Sequence, residues 1–172
     1  GLTSIASDLA LSAASSITVD SPISANGSGN VTLSATENIL VANSIATDTG
    51  DVNINADGSI DATNNGTITT NAGTVALTAD ANNNGLGSIN YVADINHGSV
   101  GGTVVDLSQS GTISGTISGN AGLTKLGIGT LSLSGANSYT GQTNVNAGSL
   151  LVDGSIAGGV LVDGGTLGGA GT

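Results

Sequence analysis

Apolar residues recur at fixed intervals along the first half of the chain. Pairs of them, separated by one residue, begin at Leu9, Val31, Val52 and Val75, so successive starts lie 22, 21 and 23 residues apart. In the first three units a second pair begins eight residues after the first, and a further apolar residue stands 14 or 16 residues after the start. These later residues are Ile17, Val19 and Ile23, then Ile39, Val41 and Ile45, then Ile60, Ala62 and Ile68. The chain is therefore built on an internal repeat.

Each repeat predicts two or three short strands joined by tight corners. A spacing of two places both apolar side chains of a pair on one face of a strand and the intervening residue on the other. Dipeptides such as Asn26-Gly27 and Asn65-Gly66 separate the strands and tolerate the backbone of tight turns. One unit cannot bury its own apolar face, whereas stacked units can, with equivalent strands about 4.8 Å apart. We predict an all-β fold, a right-handed parallel β-helix (β-solenoid) with about 21–23 residues per coil.

The regularity of the pattern divides a single β-helix segment into three parts. Residues 1–79 form regular coils, residues 80–103 carry a protruding loop that lengthens the repeat ending before Val104 to about 29 residues, and residues 104–172 form coils of a second repeat type. No signal sequence or capping amphipathic helix is apparent, so we expect open sheet edges. These features predict an interior slice of a longer chain, or a module that stacks end to end.

Composition and charge narrow the classes of function. Gly, Ser, Thr and Asn make up 90 of the 172 residues, and Val, Ile and Leu make up 43, which exceeds the roughly 20% below which such a sequence is read as disordered. The formal net charge is −11, and Lys125 is the single Lys or Arg. This balance excludes nucleic acid as a partner. No apolar stretch approaches the roughly 18 residues of a spanning helix, so we expect no membrane insertion by this segment.

Candidate catalytic residues are few. The single histidine, His97, could orient Ser99 as a nucleophile, but an exposed loop histidine beside a glycine is the favoured interpretation. The one local carboxylate cluster has no Arg or nearby Lys to act as the base of a polysaccharide lyase. Its members are Asp48, Asp51, Asp57 and Asp61. We predict no catalytic residues.

Metal and cofactor sites are not predicted either. The segment from Asn53 has Asp or Asn at alternate positions, as calcium loops do, but Asn64 stands where the bidentate Glu is needed. We predict no cofactor and allow only for weak association of Ca²⁺ with the acidic face. The irregular coil supplies the candidate contact surface, because loops on rigid scaffolds often carry binding function. Tyr91 and His97 are predicted to lie on this exposed contact loop.

Residues 122–150 carry a denser motif. They read Gly122-Leu-Thr-Lys125-Leu-Gly-Ile-Gly129-Thr-Leu131, then Ser134-Gly-Ala-Asn137-Ser-Tyr139-Thr-Gly141, and they close on Gly148-Ser-Leu150. This segment resembles the autotransporter-associated β-strand repeat found in passenger domains of Gram-negative autotransporters, and it matches every position of that pattern. Residues 1–106 resemble the looser repeats of filamentous-haemagglutinin-type exoproteins.

The resemblance implies a right-handed parallel β-helix that forms the stalk of a secreted surface protein. Within the motif, Lys125 is expected at a coil edge, where it neutralises carbonyls or carboxylates. Tyr139 is expected over a turn with its hydroxyl outside.

These observations predict a stalk or fibre segment of a secreted bacterial surface adhesin or autotransporter passenger, acting in adhesion or cell-surface assembly and not as an enzyme. The expected location is extracellular or on the bacterial cell surface. The expected partners are neighbouring β-helix coils of the same chain or like subunits stacked end to end, together with a host or bacterial surface ligand. The alternative is a glycan-binding or polysaccharide-degrading β-helix module that uses the groove around residues 80–103.

Overall fold

The regular secondary structure of this protein consists of short parallel strands. A computed structural model describes residues 7–172, and within them 21 strands and no helix are present. Accordingly, no helix in this part of the chain could cross a membrane. The chain passes through three sheets in turn and returns to each sheet one coil further along. The fold is a β-solenoid of about seven turns with about 22 residues per turn, which confirms the predicted parallel solenoid.

The strands of the three sheets interleave along the chain. The first sheet contains β1 (Leu9–Ala13), β4 (Val31–Ala35), β7 (Val52–Ala56), β10 (Thr74–Ala79), β13 (Gly102–Leu107), β16 (Gly122–Leu126), β18 (Thr143–Val145) and β20 (Val160–Val162). The second contains β2 (Ile17–Val19), β5 (Ile39–Val41), β8 (Ile60–Ala62), β11 (Ile89–Tyr91), β14 (Gly111–Ile113), β17 (Thr130–Leu133), β19 (Ser149–Val152) and β21 (Thr166–Gly168). The third contains β3 (Ile23–Ala25), β6 (Ile45–Thr47), β9 (Ile68–Thr70), β12 (Ile95–His97) and β15 (Ile117–Ser118).

Strand register stacks like residues into columns. In the first sheet Leu33 pairs with Ile54, and Ile54 pairs with Leu77. In the third sheet one column consists of Ile23, Ile45, Ile68, Ile95 and Ile117. These inward side chains are buried, and they belong to one continuous core cluster. Because side chains alternate between the faces of a strand, the intervening polar residues lie on the outer surface.

A polar side chain immediately before each of the first three strands of the first sheet bonds one coil to the next. The Asp8 carboxylate accepts a hydrogen bond from the Asn30 backbone N–H at 2.8 Å, and Asn30 Oδ1 accepts one from the Asp51 N–H at 2.7 Å. The Asp51 carboxylate in turn accepts one from the Thr74 N–H at 2.8 Å. We call this series of bonds the relay.

Bonds of the same kind form immediately before strands of the other two sheets, and we include them in the relay. Asn38 Oδ1 accepts the Ser59 N–H at 2.8 Å, and Ser59 Oγ accepts the Ser88 N–H at 3.1 Å. Before the third sheet, the Asp94 carboxylate accepts the Thr116 N–H at 2.7 Å. In each of these bonds the side-chain acceptor belongs to the coil nearer the N-terminus.

Coil length varies along the solenoid. Successive inward partners in the first sheet, from Leu9 to Val160, are 22, 21, 23, 28, 20, 20 and 17 residues apart. The 28-residue coil ends at Thr103, which is buried and pairs with Val75, so Thr103 and not Val104 is the inward residue. The additional length lies between β10 and β11, where residues 80–88 stand in place of the three-residue corner of neighbouring coils.

The third sheet ends at β15, and an irregular segment continues the third side of the tube. There the Ser138 N–H donates to the Ile117 carbonyl and the Thr140 N–H donates to the Gly119 carbonyl, both at 3.0 Å. These bonds keep the coils stacked where no named strand is present.

Candidate functional site

The connection from the third sheet back to the first, here called the third corner, contains polar groups inside the core. In one coil the Thr47 hydroxyl donates to the Gly50 carbonyl at 2.6 Å, and in the next Thr70 Oγ1 accepts the Gly73 N–H at 2.7 Å. Both threonines are buried, and they pair with each other in the third sheet. Their hydroxyls satisfy backbone groups of the corner that lie outside the sheet ladders.

His97 occupies the next position of the same column. It pairs with Thr70 and is 7% exposed. Its Nε2 lies 2.8 Å from Thr103 Oγ1, so the ring spans the third corner from β12 to β13. Its Nδ1 is buried and has no hydrogen-bond partner within residues 7–172. Burial lowers the pKa of His97 below its ordinary value of 6.5, against an opposing effect of the Gly73 backbone, so the ring is neutral at pH 7.

A glycine in the following coil accommodates the histidine. Gly119 has a φ of 115°, a backbone conformation that L side chains rarely adopt. A Cβ at this position would lie 2.1 Å from the His97 carbonyl oxygen and 2.9 Å from the His97 Cβ. His97 therefore packs against a position that only glycine can occupy.

A tyrosine closes the third corner two coils later. Tyr139 is fully buried, and its hydroxyl lies 2.7 Å from Thr143 Oγ1. Thr143 pairs with Leu123, which pairs with Thr103, so the Tyr139 and Thr143 contact repeats the His97 and Thr103 contact. Burial raises the pKa of Tyr139, and the hydrogen bond with Thr143 opposes that shift. We call these interior groups the polar seam; its members are Thr47, Thr70, His97, Thr103, Tyr139 and Thr143.

Asn137 replaces strand pairing where the third sheet has ended. Its Oδ1 accepts the Ile117 N–H at 2.9 Å, and its Nδ2 donates to the carbonyls of Gly135 and Ser155 at 3.0 and 3.1 Å. The side chain is buried. One amide group therefore connects three successive coils at a place where ladder bonds are missing.

Lys125 lies inside the tube on β16, in an inward column of the first sheet. Its Nζ donates to the Leu126 carbonyl and, at 2.8 Å, to the Gly127 carbonyl. Burial lowers the pKa of Lys125, and the Asp106 carboxylate opposes that shift. The ammonium group thus satisfies carbonyls at the corner between the first and second sheets.

Tyr91 is the other fully buried tyrosine. In the second sheet it pairs with Ala62 in the preceding coil and Ile113 in the following one. Its hydroxyl donates to the Gly66 carbonyl at 2.5 Å, and burial raises its pKa. The small Ala62 leaves the space that the phenol ring fills.

The predicted positions of four polar side chains are wrong. Tyr91 and His97 face the core and do not lie on an exposed contact loop, Tyr139 turns its hydroxyl inward, and Lys125 lies inside the tube and not at a coil edge. The reason is the alternation of side chains along a strand, because three of the four stand two residues after an inward aliphatic residue. Those aliphatic residues are Ile89, Ile95 and Leu123. His97 does not orient Ser99 either, since the partner of its ring is Thr103.

The exposed part of the long coil is residues 81–86. The Asp80 carboxylate anchors it by accepting hydrogen bonds from Ser108 Oγ and from the backbone N–H groups of Asn84 and Gly85, the latter two at 2.9 and 3.0 Å. The bond from Ser108 contributes most to a lowered pKa of Asp80, and desolvation opposes it. The loop is therefore held in place by a buried carboxylate.

A pocket of about 200 Å³ lies beside this loop. Its lining includes Thr78, Asp106, Ser108 and Ile128, the last with 81% of its surface exposed. The pocket combines hydroxyls, a carboxylate and an apolar wall, which are groups that can contact a sugar.

Two members of the predicted carboxylate cluster are used for coil stacking. The Asp48 carboxylate accepts a hydrogen bond from Asn71 Nδ2 at 2.8 Å, and Asp51 belongs to the relay. Within residues 7–172, no three His, Cys, Asp or Glu side chains are placed to hold a metal ion.

Comparisons with known proteins place the C-terminal polar groups in a family repeat. Residues 123–152 match the passenger-associated-transport-repeat, and this range contains Lys125, Asn137, Tyr139 and Thr143. The chain is 55% identical over 51 residues to the adhesin BmaC autotransporter of Brucella suis biovar 1 (strain 1330), which covers 30% of this chain and 1% of the adhesin. It is 57% identical over 44 residues to an extracellular serine protease of Serratia marcescens, which covers 26% of this chain and 4% of the protease.

No solved structure matches the chain at a significant level. The chain spans only a few per cent of the length of the two relatives. The likeness of residues 1–106 to filamentous-haemagglutinin-type repeats stays a prediction. Residues 123–152 therefore carry, on a parallel solenoid, a repeat of autotransporter passenger domains, which are secreted to the cell surface or the extracellular space.

Proposed function

We propose that this chain is a rigid stalk segment of an adhesive or fibre-forming passenger and that it has no catalytic role. The observation that carries the proposal is the continuity of the first and second sheets, each of which contains eight strands in parallel register. Backbone ladders along the axis and stacked aliphatic columns resist bending. About seven coils at roughly 4.8 Å each span on the order of 34 Å.

The buried polar groups support a structural role over a catalytic one. His97 bonds to Thr103 inside the tube, and Lys125 bonds to backbone carbonyls, so neither group meets a substrate from solvent. The segment shared with the Serratia marcescens serine protease amounts to 4% of that protein, which supports a shared repeat rather than a shared reaction.

The proposed partners are neighbouring coils of the parent chain or like subunits stacked end to end. Among residues 7–172, β1 and β20 of the first sheet each have one neighbouring strand, and they expose Leu11, Leu161 and Val162. A further coil on either strand would extend the ladder and cover these side chains. The surface ligand of the parent passenger is proposed to bind outside this segment.

Removal of one whole coil tests the stalk role. Deletion of residues 31–51 joins Asn30 to Val52 in the same register, so the shortened chain should keep its β-rich circular dichroism. Its maximum dimension in small-angle X-ray scattering should fall by about 4.8 Å. The matched control deletes residues 31–41, which removes strands from two sheets and shifts all later strands to the wrong side, so it should misfold. Equal damage from both deletions would contradict the stacked-coil architecture.

A binding assay separates the stalk from a ligand-binding module. Beads coated with the chain should not attach to host cells, to bacteria or to a polysaccharide panel with and without Ca²⁺. Attachment that survives the deletion of residues 31–51 would place a ligand site in this segment and refute a purely mechanical role.

A second candidate is the glycan-binding or polysaccharide-degrading module, and the pocket beside residues 80–88 favours it. Under this alternative Asp106→Asn should abolish retention or cleavage of a polysaccharide. The control Asp61→Asn changes a carboxylate on the second sheet and should leave both unchanged. Absence of any retained or cleaved polysaccharide with the wild-type chain excludes this candidate.

A further inference from the structure

The long coil contains a titratable side chain whose hydrogen bonding is incomplete. The His97 ring is enclosed by Thr70 of the preceding coil, Gly119 of the following coil and Thr103 across the corner. Nε2 bonds to Thr103 Oγ1, whereas the buried Nδ1 has no hydrogen-bond partner within residues 7–172, and the Gly73 backbone is the group that favours the protonated ring against the larger effect of burial. The equivalent seam positions of other coils hold Thr47, Thr70 or Tyr139, which carry no charge at acidic pH.

No charged group faces His97 from the elements packed against it. The neighbouring strands β9 and β15 contain no charged residue. On β13 the carboxylate is Asp106, at an outward position. Asp48 and Asp94 are exposed and bond to groups of the next coil. Lys125, the one cation, is inside the tube one coil further along and cannot stabilise a second positive charge.

A proton on His97 therefore creates two unmet needs. The imidazolium has an N–H at both nitrogens, so Nδ1 requires an acceptor in addition to the Thr103 contact. The positive charge also requires compensation, which no facing carboxylate supplies. Water would supply both the acceptor and the solvation of the charge.

The segment after His97 lies at the surface, and two backbone hydrogen bonds to the preceding coil must break if it is to follow the ring. Ser99 and Val100 are exposed, and Gly101 has a φ of 101°. The Gly98 N–H donates to the Thr70 carbonyl at 2.8 Å, and the Ser99 N–H donates to the Asn71 carbonyl at 2.9 Å. We propose that residues 97–103 form an acid-opened joint, in which protonated His97 leaves the core and the third corner detaches while the coils on both sides stay stacked.

The direction of the pH effect follows from linkage. Burial lowers the pKa of His97 in the folded chain below the value of 6.5 expected when unfolded. The unfolded chain therefore binds the proton more readily, and the free energy of unfolding falls as the pH drops below about 6.5. The fall ends once His97 is protonated in the folded chain too. Asp80, whose pKa is lowered from 3.8, loses its contribution only below about pH 3.8, so the two effects are separable.

Two measurements on the whole chain test the joint. Because His97 is the single histidine, its ring signals in an NMR titration are unambiguous, and the midpoint should lie below 6.5. Hydrogen exchange, corrected for the intrinsic rate at each pH, should lose protection at Gly98 and Ser99 between pH 7.5 and 5 before it does so at Ile54 and Leu77. A midpoint at or above 6.5, or an equal loss of protection along all coils, overturns the proposal.

Two variants supply the control. His97→Thr inserts the residue that the preceding coils use at this position, and His97→Gln keeps a neutral hydrogen-bonding side chain. The wild-type melting temperature should drop by several degrees between pH 7.5 and 5, whereas both variants should lose less over the same range. Coincident curves for the wild type and a folded variant contradict the joint, and the NMR midpoint decides the matter if neither variant folds. The result is independent of the stalk proposal, since a stalk with no joint passes the coil-deletion test equally well.

Discussion

Residues 31–70 and residues 95–152 build the same tube from different interior groups. The first region stacks Val, Ile and Leu in columns and places hydroxyls only at the third corner, through Thr47 and Thr70. The second region substitutes His97, Lys125, Asn137 and Tyr139 at buried positions and satisfies most of their polar atoms with hydrogen bonds. Both regions keep parallel pairing throughout.

The two kinds of interior group make different contributions: aliphatic packing stabilises the stacked coils, and buried polar groups specify which coils stack and in which register. Aliphatic packing is non-directional, so one regular coil can stack on another with little preference for its neighbour. Buried amide, imidazole and ammonium groups find their partners in a single register, and a misplaced coil would leave them unsatisfied. We interpret the regular coils as the interchangeable part of the solenoid and the polar coils as the part that fixes alignment.

Loss of an aliphatic side chain from the regular region should have the largest effect. Ile54→Ala creates a cavity between Leu33 and Leu77 and should reduce the free energy of unfolding by about 2–5 kcal/mol, whereas Ile54→Val should cost about 0.5–1.5 kcal/mol. Urea unfolding followed by circular dichroism measures both. Equal effects of the two variants would show that the column is not closely packed.

Loss of the Asn137 amide, which replaces strand pairing, should have the second-largest effect on stability. Asn137→Ala leaves the Ile117 N–H without its partner, removes one of the two hydrogen bonds at each of the Gly135 and Ser155 carbonyls, and should cost about 1–3 kcal/mol. Asn120→Ala is the matched control, because Asn120 is exposed, and it should change stability by less than about 0.5 kcal/mol. Comparable losses in the two variants would contradict the bridging role of Asn137.

The tyrosine of the polar seam should contribute less. Tyr139→Phe leaves the Thr143 hydroxyl unpaired and should cost about 0.5–1.5 kcal/mol. The double variant Tyr139→Phe with Thr143→Val removes both partners while preserving shape, so it should recover part of that loss. An additive loss in the double variant would mean that the two side chains do not interact.

Outer positions of a regular coil should have almost no effect. Asn53→Thr with Asn55→Ser gives β7 the outward residues of β4, to which it pairs, and should change the free energy of unfolding by less than about 0.5 kcal/mol. A larger change would show that the regular coils are not interchangeable.

The sequence predicts the repeat, the parallel solenoid and the family resemblance because aliphatic spacing dominates each of them. It also contains the signal that places Tyr91, His97 and Lys125 inside, since each stands two residues after an inward aliphatic residue. Their polar character favours the surface, because nothing in the spacing shows which groups compensate burial: Lys125 and His97 bond to corner residues within six positions, whereas other compensating bonds join residues far apart in the chain. The bond from Tyr91 to Gly66, which spans 25 residues, is an example. Such partners become visible only once coil register is known.

The relay gives the solenoid a head and a tail. A coil offers side-chain acceptors toward the C-terminal side and backbone donors toward the N-terminal side, as Asn30 does between Asp8 and Asp51. Where the relay operates, an inverted coil would turn its side-chain acceptor toward another acceptor and not toward a backbone N–H. The relay therefore favours a single orientation for each coil that is added to it.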